Sequence, residues 1–474
     1  MPELVYSTPG GLFFKRGRMA NVCAAILAPL LLSGLILLLA DKTGPFAAVC
    51  AGLFFFALSV LLLKGDIFRR SVYWFFAIQF AVSYALQLSL IVTIISLIFF
   101  PLVFIVKPRS SELEIVPKWK SLLLLLSGGA VSLVYLVLVN YGELRYYLMY
   151  DICFLLGLGV AYEVFFLLRF KFLDLEKLIK YIAFSGLALV CFTAARYLAG
   201  GNAGLMFNER FGGSVNINPN ILASYLDLTL PCAFFIAFFE KRNFLKKTLF
   251  YALSLLYAAI ILMAATRGSL PGIAIIVMYV IWRKRSKTLL LAVLASVAVV
   301  FFTLGTAVIE RTFNPDIIDM ISNMGRVEML RTAFRILEDN YYFFGIGMNN
   351  FSLAKFEYGF PLWFDGQKIM SSHNVFTEIW LGWGMLGLLG WLVFNIGTVS
   401  SLIRKNKDSG AANAIAFAII AFSAHGLFDS LCANFSIMLT YFSLVGAGLF
   451  IIARTNYISS KSSSFRADFD QSSP

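Results

Sequence analysis

The chain has 474 residues, 60% of them hydrophobic and 14% charged, with a formal net charge of +13 at pH 7. Its apolar runs recur near the about 20 residues that carry a helix across a bilayer, and they are continuous instead of alternating in period two, which excludes a soluble core and a β-barrel. The positive residues fall in short clusters between those runs and form no stripe, so they speak for orientation in a membrane and against a nucleic-acid partner.

The chain therefore reads as an all-α polytopic membrane protein. Lys15, Arg16 and Arg18 precede a first apolar run, Ala20 to Ala40, that is expected to stay as an uncleaved span after a cytoplasmic N-terminus, residues 1–19. Further basic clusters at Lys64/Arg69/Arg70, Lys107/Arg109, Arg169/Lys171/Lys177/Lys180, Lys241/Arg242/Lys246/Lys247, Arg283/Lys284/Arg285/Lys287 and Arg404/Lys405/Lys407 all face the cytoplasm under one topology. Both basic loops around the run Ser71 to Val106 then lie inside, so that run counts as two short spans and the total is about twelve to fourteen helices. The expected organisation is a transmembrane bundle over 20–309, one long outer loop over 310–372, further spans over 373–453 and a disordered cytoplasmic tail over 454–474. Cys23, Cys50, Cys153, Cys191, Cys232 and Cys432 lack paired spacing and read as small buried hydrophobes, without disulfides, metal or cofactor.

Polar residues that helix packing does not require gather on the outward elements. The first comprises Asn208 to Gly213, then Asn218-Pro219-Asn220, then a span containing Asp227. Asn at a helix N-cap followed by Pro explains Asn218 and Pro219 structurally, whereas an ionised Asp227 inside an apolar helix needs a partner or water. The second is the turn Ala265 to Pro271, in which Gly268 suits the turn and Ser269 with Pro271 can start a helix; Arg267 is left for an anion, because positive residues are scarce on this side.

The third, Gly325 to Asn340, fits an amphipathic helix lying on the membrane. Met329, Leu330, Ala333, Phe334, Ile336 and Leu337 share its apolar face, and Arg331 and Arg335 lie opposite, solvated or paired with Glu328 and Glu338. The same wheel turns Arg326 toward the membrane domain, as a better ligand for an anionic headgroup than its neighbours. The fourth element, Ser371 to Glu378, opens a long apolar helix. A serine N-cap there places His373 in the first turn, where the positive helix end favours the neutral imidazole that a general base requires; an interfacial histidine is the competing reading. Further on, His425 and Asp429 stand at i, i+4 and are expected to form a hydrogen-bonded pair.

Outward arginines, a neutral histidine and intramembrane carboxylates suit a substrate with an apolar tail and a diphosphate head, since arginine clamps phosphate bidentately and stabilises a departing diphosphate. The succession Asn218-Pro219-Asn220, Thr266-Arg267-Gly268-Ser269, Gly325-Arg326, Asp339-Asn340, Phe344-Gly345-Ile346-Gly347, His373-Asn374 and Gly382-Trp383-Gly384-Met385-Leu386-Gly387 resembles the bacterial O-antigen ligase and polymerase superfamily over roughly residues 205 to 430. The resemblance implies a metal-independent glycosyltransferase in the bacterial inner membrane, with its active site toward the periplasm. It would move a glycan from undecaprenyl diphosphate onto lipid A-core, as a ligase, or onto another carrier-linked glycan, as a polymerase. It further implies that Arg210, Arg267 and Arg326 hold the diphosphate and that His373 serves the acceptor hydroxyl, with Asp429 in support. A transporter of lipid-linked glycan is a more distant alternative, since the sequence shows no repeated halves.

Overall fold

The computed structural model describes residues 72, 118–138, 144–200, 211–212, 217–264, 266–284, 317–348, 350–361 and 371–471. The expected spans before residue 118, the boundary at 309/310 and Arg210 lie outside the described residues. Apart from Val72, everything described belongs to one compact unit, Phe76–Pro474.

The described elements are helical, without a strand among them. In chain order they are α1 (Trp119–Leu138), α2 (Leu144–Arg169), α3 (Leu175–Ala199), α4 (Pro219–Phe239), α5 (Phe244–Met263), α6 (Leu270–Lys284), α7 (Ile317–Ile336), the short α8 (Phe351–Ala354), α9 (Val375–Lys405), α10 (Gly410–His425) and α11 (Phe435–Gln471). Six of the described helices are long and apolar enough to cross a membrane: α1, α3, α4, α5, α9 and the first part of α11. With lipid as the solvent, helices gain nothing from mutual burial of apolar surface, so small residues that allow backbones to meet decide the contacts. α1 and α9 illustrate this, since a Cβ added to Gly128 would lie 2.4 Å from the Gly387 nitrogen, and one added to Gly390 would lie 2.4 Å from the Leu125 nitrogen.

α4 is the hub of the second half. It packs against α3, α5 and α10, while α11 packs against α2 and α10. The alternation of the helices collects one set of termini at a basic end, where Lys246 bridges Glu176 and Glu240 and Arg283 meets Asp408. The opposite end carries the outward motifs.

α9 is broken within the bundle. Trp383 (φ −120°, ψ 15°) and Gly384 (φ 65°, ψ −170°) leave the helical region, which frees backbone groups that hydrocarbon cannot satisfy. The loop segment after α7 satisfies them: Ile346 N donates to Leu381 O, Gly347 N to Gly382 O (3.1 Å), and Met385 N to Tyr342 O (3.0 Å). Ser132 Oγ on α1 adds a bond to Gly382 O at 2.8 Å, and Tyr135 stacks on Phe344 with ring centroids 4.5 Å apart. The two glycine motifs of the sequence are thus halves of one joint, in which a Cβ on Gly384 would fall 1.9 Å from Phe343 O.

Three expectations need correction. The helix in the long loop begins at Ile317 and its buried face is rotated: Met329, Thr332, Ala333, Ile336 and Leu337 are buried, whereas Leu330 and Phe334 are exposed. The reason is the cluster it joins, in which Met329, Ala333, Ile336 and Leu337 pack with Phe351, Phe360 and Leu381. Residues expected as a disordered tail continue α11 to Gln471. Neither Gly nor Pro interrupts that stretch, and its start is tied down by Thr455 Oγ1 to Asn406 Oδ1 (2.9 Å) and Lys405 Nζ to Asn456 Oδ1 (2.8 Å). Cys232 is buried as expected, but Cys191 is exposed on α3.

Candidate functional site

The site end is stitched together from the outward motifs. Asn218 caps α4 as the sequence predicts, its side chain accepting from Asn220 N at 2.9 Å, with Pro219 at the first helical position. The residues between α5 and α6 form a tight 3₁₀ turn, Arg267–Ser269. Thr266 Oγ1 holds the entry of that turn, donating to Ala264 O at 3.3 Å, with Pro219 O and Asn220 Oδ1 each at 3.5 Å. Phe211 N donates to Met263 O at 3.2 Å, so the residue following Arg210 is fixed at the end of α5.

Beneath the turn lies a buried polar cluster. Asp227, left without an evident partner by the sequence, accepts from His425 Nδ1 at 2.6 Å and from Ser269 Oγ at 2.7 Å. Ser269 Oγ is also 3.0 Å from His425 Nδ1, and Ser224 Oγ lies 3.3 Å from both ring nitrogens. The side chains of His425 and Asp227 are 1% and 2% exposed, which makes this a fully enclosed pair. The expected pair of His425 with Asp429 does not form. α10 ends at His425 and the chain turns back on itself, with Phe428 N bonded to His425 O at 2.8 Å, so Asp429 no longer sits one helical turn above the imidazole.

Asp429 pairs instead with His373, whose Nδ1 lies 3.1 Å from Asp429 Oδ1. His373 is not in the first turn of α9, because Asn374 takes the N-cap in place of serine, its side chain accepting from Phe376 N and Thr377 N. His373 stands just ahead of the cap in left-handed backbone at φ 51°, a conformation that costs about 1 kcal/mol or more for a residue with a Cβ and needs support. The support comes from both flanks. Glu378 Oε2 accepts from Ser372 N and Oγ, each at 3.0 Å. On the other side Val375 N donates to Gly426 O at 2.7 Å and Asn374 Nδ2 to Leu427 O at 2.9 Å.

An ionised carboxylate can only accept, so in the Asp429 contact Nδ1 of His373 is the donor. Burial pushes the Asp429 carboxyl up, but the His373 hydrogen bond, the neighbouring His373 and His425 imidazoles and the Ser430 N–H together outweigh it and hold the group below the usual carboxylate range. The His373 side chain is 30% exposed and Asp429 16%, so the pair is oriented and partly open at the site end.

The arginines divide as follows. Arg267 is exposed on its turn, whose next residue, Gly268, rests on the His425 ring; a Cβ there would come within 2.7 Å of Cδ2. Arg326 is half-buried on α7. Arg331 and Arg335 are surface residues, 67% and 49% exposed, that share Glu328. Contacts therefore run unbroken from the Arg267 turn through His425 and the Gly426-Leu427 backbone to Asn374 and His373. Arg326 is placed on the loop helix that packs on α9, and no contact joins it directly to this chain of bonds among the described residues.

A family model described as O-antigen ligase matches residues 252–392. That match supports the O-antigen ligase and polymerase superfamily for this chain. It spans the Arg267 turn, the whole loop, His373 and the break in α9, and ends before His425 and Asp429. A comparison with curated proteins gave no match. The match and the six long apolar helices among the described residues support a multi-pass membrane protein of the general O-antigen ligase or polymerase type; members of that family are glycosyltransferase-like, and the family implies lipid-linked glycan substrates.

Three structural contributors are not evident from the sequence. Ser269 reads as a helix starter but bonds Asp227; Glu378, given no role from the sequence, fixes Ser372. Asp151 on α2 accepts from Trp383 Nε1 at 2.6 Å, which anchors the break in α9. Its signal was available, since a carboxylate in an apolar helix calls for a partner, as at Asp227.

Proposed function

We propose that this protein is a ligase that transfers a glycan from an undecaprenyl diphosphate carrier to a lipid A-core or similar acceptor at the periplasmic face. The observation that carries the reading is the His373–Asp429 pair, oriented with Nε2 free to act and linked through the Gly426-Leu427 backbone and His425 to the Arg267 turn. In this reaction Nε2 of His373 takes the proton of the acceptor hydroxyl while that oxygen attacks the anomeric carbon. The new carbon–oxygen bond forms as the bond to the diphosphate breaks, with inversion, and the diphosphate leaves carrying the electron pair. Arg210, Arg267 and Arg326 hold it, Arg267 from its exposed turn and Arg326 from the loop helix, as bidentate guanidinium clamps for which no metal is needed. The positive-inside rule supports the orientation, since the end opposite the site carries Lys246, Arg283 and Lys405. The exposed apolar side chains Met324, Val327, Leu330 and Phe334 on α7 suit a helix resting on the membrane.

Purified protein mixed with lipid-linked glycan and acceptor, without divalent metal, tests the reading. Transfer by the wild type that is lost in both His373→Ala and Arg267→Ala supports it, and normal transfer by both variants refutes the site. A polymerase of the same superfamily is the second reading, favoured by the same residues. Deleting the gene separates the two: loss of a ligase strands polymerised glycan on the carrier, and loss of a polymerase leaves single repeat units on lipid A.

A further inference from the structure

His425 and Asp227 touch neither of the proposed reacting groups, yet they form an enclosed hydrogen-bonded cluster directly under the site. Three elements meet at the imidazole. α10 supplies the ring, α4 supplies Asp227 and Ser224, and the Arg267 turn supplies Gly268 and Ser269. Serine, histidine and aspartate in contact suggest a nucleophilic relay, but the geometry rejects one. Ser269 Oγ and Asp227 Oδ2 both meet the same ring nitrogen, Nδ1, whereas a relay needs serine on one nitrogen and carboxylate on the other, and Ser224, whose Oγ lies 3.3 Å from both nitrogens, is fully buried and out of a substrate's reach. Ser269 is fully buried as well, so no substrate reaches it.

What the cluster does is fix the turn. The Ser269 hydroxyl donates to Asp227 and the Gly268 backbone lies against the ring, so the two residues after Arg267 are held by the buried pair. The backbone just past His425 then holds the two residues after His373 through Gly426 O and Leu427 O. We propose that His425, paired with Asp227, is a positioning residue that sets the Arg267 turn in register with the His373–Asp429 pair. This rests on the reading of Arg267 as a diphosphate ligand. A displacement of about 1 Å in such a ligand weakens binding and alignment out of proportion to any change in stability.

The test measures donor KM, kcat and binding of a polyprenyl diphosphate for the full-length protein in detergent or liposomes. Four proteins are compared: wild type, His425→Leu, His425→Asn and Gly268→Ala. Asn keeps an N–H near the position of Nδ1 and is expected to rescue donor KM to within about threefold of wild type, while His425→Leu raises donor KM and weakens diphosphate binding about tenfold or more. Gly268→Ala leaves the His425–Asp227 hydrogen bond in place but pushes the turn off the ring, and is expected to raise donor KM in the same direction with kcat changed less. Because a lone buried carboxylate can prevent His425→Leu from folding, Gly268→Ala and His425→Asn decide the matter in that event. Wild-type donor KM and diphosphate affinity in Gly268→Ala, or an equal loss in His425→Asn and His425→Leu, overturns the proposal. Failure of the wild type itself to bind polyprenyl diphosphate or transfer glycan instead overturns the functional reading on which it rests.

Discussion

His425 stands four residues before Asp429, yet its Nδ1 lies 2.6 Å from Asp227 Oδ2 on another helix, while Asp429 bonds His373. Two histidine–aspartate pairs therefore occur at the same end of the bundle, one enclosed and one open. The side-chain exposures, 1% for His425 and 30% for His373, mean that a ligand can reach only the second pair.

Asp429→Asn is expected to lower kcat by about a hundredfold or more with donor KM little changed. The amide can present an N–H to Nδ1 and so stabilise the wrong imidazole tautomer, a loss that carboxylate-oriented histidines suffer even when the geometry survives. Steady-state transfer kinetics check this; a donor KM that rises while kcat holds assigns Asp429 to binding instead.

The same pair has a pH signature in stability. A carboxyl held below its unfolded value of about 3.9 contributes stability that is fully present above that value and is lost as pH falls through the lower folded value. The Tm difference between wild type and Asp429→Asn in detergent is thus expected to be constant above about pH 5 and to shrink below about pH 4. A difference that instead grows on acidification contradicts an ionised Asp429.

Gly384→Ala is expected to destabilise the protein by about 2 kcal/mol or more, since it combines left-handed backbone with a Cβ driven into Phe343 O. Thermal unfolding and protease susceptibility of the loop after α7 report the loss. An unchanged Tm and an uncut loop mean that the joint between loop and broken helix does not hold as described.

Arg331→Ala is expected to change stability by less than about 0.5 kcal/mol and to leave transfer nearly intact, because the side chain is 67% exposed and its partner Glu328 is shared with Arg335. Arg267→Ala, by contrast, is expected to raise donor KM about tenfold or more. Assayed side by side, equal losses in the two variants would remove the distinction between surface and ligand arginines.

Orientation is testable with a membrane-impermeant maleimide on single cysteines placed at Leu427 and Asp408, which are 52% and 77% exposed at opposite ends of the bundle. In a cysteine-free background in intact cells stripped of outer membrane, Leu427→Cys is expected to label at once and Asp408→Cys only after permeabilisation. The reverse pattern places the site at the cytoplasmic face.

The all-helical architecture, the Asn218 cap and the shared end of the outward motifs follow from local signals: apolar run length, capping chemistry and the sign of charge between runs. Asp227 likewise announces that it has a partner, because hydrocarbon makes an unpaired carboxylate costly. Other features depend on neighbours distant in sequence. The buried face of α7 follows the cluster of Phe351, Phe360 and Leu381, and the meaning of Gly384 depends on Phe343 arriving against it.

The sequence by itself determined which residues could be chemical, since only two histidines and few outward charges stand among so many apolar side chains. Tertiary structure alone decided how they pair. The i, i+4 rule presumes that the helix continues, and α10 stops at His425. His425 then turns to Asp227, 198 positions away, and His373 reaches across 56 positions to Asp429. No local pattern encodes such distances, because they are set by which helices pack together and where each one ends.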